Sequence, residues 1–214
     1  MKIIFLGAPG AGKGTQADAV SKKFAIPAIS TGAIIRAAIA AGTPTGLKAK
    51  EFIEKGNLVP DEVVIGIIKD RLSEDDCRGG FILDGFPRTV PQAEALEKMG
   101  VTIDAVVSLE VPAEKIVERM SGRRVCSRCG ASYHVQYNPS KDGTHCDSCG
   151  EVLTTRADDE PSVVLSRLEV YRTSTEPLKD FYAAKGSLKL IDGLGSVETI
   201  TERTLKALDG YDRS

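Results

Sequence analysis

The stretch "KIIFLGAPGAGKGT", Lys2 to Thr15, decides the reading of the chain. An apolar run leads into a glycine-rich turn, and Lys13 opens a helical pattern. Such a junction is a phosphate cradle. A helix start offers unpaired N–H groups and roughly half a positive charge. Glycines let the backbone wrap closely around phosphate oxygens. Lys13 reaches the β- and γ-phosphates as a movable point charge. The usual pattern sets Ser or Thr directly after the lysine, whereas here Gly14 stands there and Thr15 follows. The cradle points to a nucleotide and leaves open what accepts the phosphoryl group.

Outward from this loop, apolar runs recur as "GFILDG", "IDAVVSLEV" and "SLKLIDG". They are continuous rather than alternating, as in parallel strands buried on both faces. Helical patterns lie between them: Lys13 to Phe24, Asp61 to Leu72 after Pro60, "TVPQAEALEKMG" and "PAEKIVERMSG". This alternation predicts an α/β fold with a central parallel sheet flanked by helices. Two segments break the rhythm. Ser30 to Val59 reads as short helices interrupted at "AGTPTG" and "KGN", and Gly122 to Asp159 reads as a small β-rich insert. "DDEPSVVLSRLEVY" then opens a long helix, its acids and Pro161 suiting a helix N-terminus. The 214 residues suffice for one sizeable core with small inserts. A formal net charge of −2 gives no field directed at nucleic acid or an anionic membrane. No apolar run is long enough to span a bilayer. The N-terminus reads as a buried strand rather than a signal peptide, and a cytoplasmic protein is the expectation.

"FILDGFPR" supplies the next signal. Asp84 ends an apolar strand at the carboxyl edge of the sheet, near the phosphate loop, where a Mg²⁺-linked acid belongs. Arg88 follows on the same loop, and its guanidinium suits a bidentate grip on phosphate. Arg36 lies in the first insert, Arg123 and Arg156 flank the second, and Arg167 sits on the helix leading out of it. Convergent cations of this kind would stabilise a phosphoryl group in transfer without a covalent intermediate.

Of the five cysteines, Cys77 stands alone and reads as a small structural hydrophobe. The other four, Cys126, Cys129, Cys146 and Cys149, form two C-x-x-C pairs with a 16-residue interval between them. In a reducing compartment this spacing favours a four-thiolate metal knuckle over disulfides. Four protein ligands leave no open position, so the metal would be structural. Zn²⁺ fits best, with other thiophilic metals open on ligand chemistry alone. A zinc finger for nucleic acid lacks its basic recognition helix.

Taken in order, "GAPGAGKGT", "STGAIIRA", "GNLVPDE", "DGFPR", "RRVC", "TTRADD" and "VVLSRLEVY" resemble the adenylate kinase family in its long-lid bacterial form, over essentially the full chain. The Gly14-Thr15 variation is that family's form of the loop. The resemblance implies reversible phosphoryl transfer, ATP + AMP ⇌ 2 ADP, with Mg²⁺, a role in adenine nucleotide homeostasis, and a cytoplasmic monomer. It implies a core of residues 1–29, 60–121 and 160–214, a nucleoside-monophosphate clamp at 30–59 and a metal-binding lid at 122–159. Carried over residue by residue, it places ATP phosphates on Gly10, Ala11, Gly12, Lys13, Gly14 and Thr15, with Arg123 joining from the lid. Ser132 and Tyr133 match positions near the ATP base and ribose, and Gly195 a backbone contact to its adenine. Thr31, Arg36, Asn57, Leu58, Val59, Gly85, Phe86, Pro87, Arg88 and Gln92 match the AMP site. Arg156 and Arg167 match arginines that reach the AMP and transferring phosphates. Lys13, Asp84, Arg88, Arg123, Arg156 and Arg167 form the catalytic set so implied. Gln92 is expected to read the adenine edge.

Two other functions share parts of this pattern. A kinase for UMP or CMP would use the same phosphate machinery with different base contacts at Thr31, Asn57–Val59 and Gln92. A phosphate-loop switch that signals to a partner would need no second nucleotide site, and the arginine set disfavours it.

Overall fold

A computed structural model describes residues 1–211. The phosphate-loop strand Lys2–Gly7 (β1) lies at the middle of a five-stranded parallel sheet. Phe81–Asp84 (β3) and then Ala28–Ser30 (β2) lie on one side of it, and Ala105–Glu110 (β4) and then Leu188–Asp192 (β8) on the other. Registers such as Ile4 opposite Leu83 and opposite Val106 hold the strands together.

The continuous apolar runs are divided by the two-residue period of a strand. Ile3, Phe5, Ile82, Val107 and Leu109 face one helical layer, and Ile4, Leu6, Leu83 and Val106 face the other. The first layer contains Lys13–Phe24 (α1), Ala113–Ser121 (α6), Pro161–Val170 (α7) and Val197–Ala207 (α9), which contribute Ala17, Val20, Ile116, Met120, Val164 and Ile200. The second contains Thr31–Ala40 (α2), Pro44–Glu54 (α3), Asp61–Leu72 (α4), Val90–Lys98 (α5) and Leu178–Ala183 (α8), contributing Ile35, Ala49, Val64, Ile68, Leu96 and Leu178. Each such fully buried Ile or Leu contributes about 1.5–3 kcal/mol of burial free energy.

The expected parallel α/β fold is therefore present, with one strand more than the sequence suggested. β2 has only three residues, follows Pro27, and buries Ile29 alone. Such a short edge strand carries too little apolar pattern to read.

Both interrupting segments have the predicted character. Residues 31–54 form α2 and α3, each capped by a hydroxyl: Ser30 Oγ accepts from Ala33 N and Thr43 Oγ1 from Gly46 N. Arg123–Cys126 (β5) pairs antiparallel with Ser132–His134 (β6) and with Leu153–Thr154 (β7) in a separate small sheet. Beyond α7 the chain continues as a π-helical turn, Tyr171–Thr175. No helix among the described residues is long and apolar enough to cross a membrane.

Candidate active site

The phosphate loop joins β1 to α1 at the carboxyl edge of the sheet. Gly10 and Gly12 adopt φ of 81° and 98°, a region open to glycine at little cost. A side chain on Gly10 would also strike Met120 Sδ at 2.7 Å, so the loop lies tightly over α6. Gly12 occupies the cap position of α1 and has no side chain with which to cap it. The first N–H groups of the helix are left for a ligand. Lys13 Nζ donates to the carbonyls of Gly7 and Ala8 at 2.7 and 2.8 Å.

Two cavities open on this edge. The larger is lined by Gly10 to Thr15, Asp84, Arg123, Ser132, Tyr133, Arg156 and Gly195. The smaller is lined by Thr31, Asn57, Leu58, Val59, Pro87 and Gln92. Pro9, Lys13, Gly32, Arg36, Gly85, Arg88 and Arg167 line both, so four cations stand on the boundary between the cavities. Phe86 shares the Gly85–Arg88 loop, but its side chain is fully buried in the second layer of the core and anchors the loop from below. Thr31 Oγ1 is buried without a hydrogen-bond partner at the first residue of α2. A buried hydroxyl of this kind is suited to a ligand contact.

Electrostatics mark the same boundary. Burial lowers the Lys13 pKa from 10.5 to about 8, partly offset by Asp84 and reinforced by Arg88, Arg167 and Arg123. Burial, then the neighbouring Arg36 and Arg123, lowers that of Arg156 to about 10. Arg36, Arg88 and Arg167 are also pushed down, first by burial. Cations crowded together in a cleft form a receptor for polyanions.

Two acids that the sequence reading left unassigned hold part of this cluster. Asp159 takes a two-point grip from Arg123, through Nε at 2.7 Å and through NH2, and Arg167 NH1 lies 3.4 Å from it. Asp158 pairs with Arg167 at 2.8 Å. Arg88 is fixed through its backbone and its side chain. Its N–H donates to Gln92 Oε1 at 2.7 Å, its carbonyl accepts from Thr175 Oγ1 at 2.9 Å, and its Nε donates to Gly85 O at 2.9 Å. Arg119, read only as part of a helix, reaches the phosphate loop, where it donates to Ala11 O at 3.4 Å, and also donates to Gly193 O at 2.8 Å. Asp84 Oδ2 would lie 3.5 Å from a Cβ added at Gly14, which sets the carboxylate over the first turn of α1. That is a hard oxygen ligand beside the loop, of the type Mg²⁺ takes.

In the small sheet, the sulfurs of Cys126, Cys129, Cys146 and Cys149 all lie within 4.8 Å of one another. Cys126 and Cys149 are 3.4 Å apart, and Cys129 and Cys146 3.5 Å. Four thiolates around Zn²⁺ at about 2.3 Å would stand about 3.8 Å apart, so the set fits a tetrahedral ion. Cys129 N donates to Cys126 Sγ at 3.4 Å. Tyr133 OH accepts from Asp147 N at 2.9 Å and lies 3.5 Å from Cys146 Sγ, with its own proton free for the sulfur. Cys77 is buried, with Arg71 NH1 3.0 Å from its sulfur, away from both cavities.

The chain is similar to known proteins over most of its length. A family model described as adenylate kinase matches residues 5–187. The adenylate kinase of Carboxydothermus hydrogenoformans is 54% identical over 212 residues, covering 97% of this chain and 99% of that protein. That of Caldicellulosiruptor bescii is 56% identical over 212 residues, with the same coverage. That of Thermodesulfovibrio yellowstonii is 53% identical over 204 residues, covering 94% and 95%.

Proposed function

The chain belongs to the adenylate kinase family, and from that premise we propose how its residues divide the work of ATP + AMP ⇌ 2 ADP. The larger cavity takes ATP, its phosphates on Gly10 to Thr15 and its base and ribose near Ser132, Tyr133 and Gly195. The smaller takes AMP, held by Thr31, Arg36, Asn57 to Val59, Gly85 to Arg88 and Gln92. The carrying observation is that the two cavities meet at Lys13, Arg36, Arg88 and Arg167. A single-nucleotide switch has no use for a second cavity across a cationic boundary.

In the reaction an AMP phosphate oxygen bonds to the γ-phosphorus as the bond from that phosphorus to the β–γ bridging oxygen breaks. The attacking oxygen is already ionised at neutral pH, so no protein base is required. Lys13, Arg88, Arg123, Arg156 and Arg167 act by aligning the two phosphate chains and balancing the charge spread over the transferring group. Mg²⁺ bound with ATP would neutralise phosphate charge, and Asp84, beside the loop, would help to hold it. Residues 30–59 act as a clamp and 122–159 as a lid, excluding water that would otherwise accept the phosphoryl group. Cys126, Cys129, Cys146 and Cys149 would hold a structural Zn²⁺ that cross-links a lid whose own core is thin. With both nucleotide sites in one chain, the protein acts as a monomer, and we assign it to the cytoplasm.

The test is ADP formation with ATP and each of AMP, CMP and UMP. AMP should be strongly preferred. Comparable kcat/KM with a pyrimidine monophosphate would reassign the acceptor, and nucleotide binding without transfer to any of them would overturn the reading.

A further inference from the structure

The Gln92 side chain, almost wholly buried beside the smaller cavity, has both ends of its amide engaged. The Arg88 N–H donates to Oε1 at 2.7 Å, and Nε2 donates to Asp61 Oδ1 at 2.6 Å. A backbone N–H can only donate and a carboxylate can only accept, so these partners fix which end is oxygen and which is nitrogen. Asp61 is itself held. Thr89 Oγ1 donates to its other oxygen at 2.9 Å, and it stands in the first turn of α4, where negative charge is favoured. One N–H and one lone pair of the Gln92 amide remain for a further partner.

We propose that Asp61 sets the choice of base at the acceptor site by locking the Gln92 amide as an oriented donor–acceptor pair. This rests on the reading of Gln92 as the contact to the adenine edge. Adenine presents an acceptor at N1 beside a donor at N6. Hypoxanthine presents the reverse, a donor at N1 beside an acceptor at O6. An amide free to turn accommodates both edges, whereas an amide held at both ends matches one and leaves unpaired groups against the other. Asp61 acts through Gln92, so it is a positioning residue.

The experiment compares kcat/KM for AMP and for IMP, with ATP as donor, in the parent, Asp61→Ala, Asp61→Asn and Gln92→Leu. Asp61→Ala should lower the AMP-to-IMP ratio about tenfold, leaving the KM for ATP unchanged. Asp61→Asn should hold the ratio within about twofold. Its carbonyl accepts from Nε2, and its N–H₂ donates to Thr89, whose hydroxyl turns to accept. A purely structural role at the start of α4 would lower the melting temperature, and the turnover of both monophosphates equally, without moving the ratio. If Asp61→Ala does not fold, Asp61→Ser, too short to bridge Thr89 and Gln92, makes the same comparison. An unchanged ratio in these variants alongside a reduced ratio in Gln92→Leu overturns the proposal and leaves the adenine reading intact. An unchanged ratio in Gln92→Leu overturns both.

Discussion

Raising the pH should remove the proton from Lys13 well before ordinary lysines titrate, because burial holds its pKa at about 8 against the usual 10.5. The unfolded chain keeps that proton up to the ordinary value. Between the two values the unfolded state therefore binds more protons than the folded one, and stability rises with pH. Well below pH 8 the ammonium is fully charged and its cost to the fold is at its largest. The gap between the two values converts to about 3 kcal/mol as an upper limit, reached near the top of the window. Activity should move the other way. A neutral amine no longer attracts phosphate, so kcat/KM for ATP should fall about tenfold per pH unit beyond the folded-state value. Bound phosphates favour the ammonium, so kcat with both nucleotides saturating should hold to higher pH.

The assay is ADP formation at limiting ATP, paired with urea unfolding of the parent and of Lys13→Met at each pH. Differencing the two proteins removes the other groups that titrate in this range. The parent should gain relative to the methionine variant as pH rises, while its capture of ATP declines. Lys13→Arg, which keeps its charge, should show lower activity and no such decline. A parental kcat/KM that stays level to about pH 9.5, with a constant stability difference, would refute the argument that a desolvated ammonium faces the phosphates.

Arg88→Ala should raise the KM for AMP far more than that for ATP, at a cost of about 3 kcal/mol in kcat/KM for AMP; the reverse pattern in steady-state kinetics would mean that the two cavities have been exchanged. Cys129→Ser or Cys146→Ser should lose metal by elemental analysis and melt at lower temperature. Both should keep substantial activity well below the melt, since Lys13 and the core arginines are untouched. Tight metal retention with an unchanged melt would refute the structural role. Gly46→Ala should destabilise the packing of α3 on α2, because its Cβ would lie 2.2 Å from the Ala38 carbonyl oxygen. Backbone cannot give way as a side chain can, so a cost of about 2 kcal/mol and a melt lower by about 4 °C or more are expected. A melt equal to the parent's would show that the two helices are not in fixed contact.

What the sequence made legible was local. β1, the glycine loop and the start of α1 are contiguous, so their pattern could be read directly, as could the C-x-x-C pairs, whose ligands each lie three residues apart. What it hid was the set of contacts between distant segments that share no local pattern. Asp61 and Gln92 lie 31 residues apart, and Arg88 and Thr175 87 apart. In the sequence Asp61 is only the first residue of a helical pattern and Thr175 carries no signal, and nothing beside either names its partner. The π-helical turn that carries Thr175 has no sequence signal that the periodicity of α7 would reveal.

Asp158 and Asp159 show the same limit with a functional consequence. "TTRADD" was read for Arg156, the group that suits a phosphate, yet its two acids grip arginines from elsewhere: Arg123 from β5 and Arg167 from α7. Lys13, Arg36, Arg88, Arg156 and Arg167 all have lowered pKa values, and mutual repulsion contributes to each. Left to themselves, such cations would spread toward solvent and their convergence would be lost. Asp159, held between Arg123 and Arg167, keeps both guanidiniums near the place where a phosphate will need them. Anion binding then begins from groups already gathered, which lowers the cost of ordering them. The acids need not touch the transferring group to serve the reaction, and that is why a reading confined to phosphate-binding residue types passed over them.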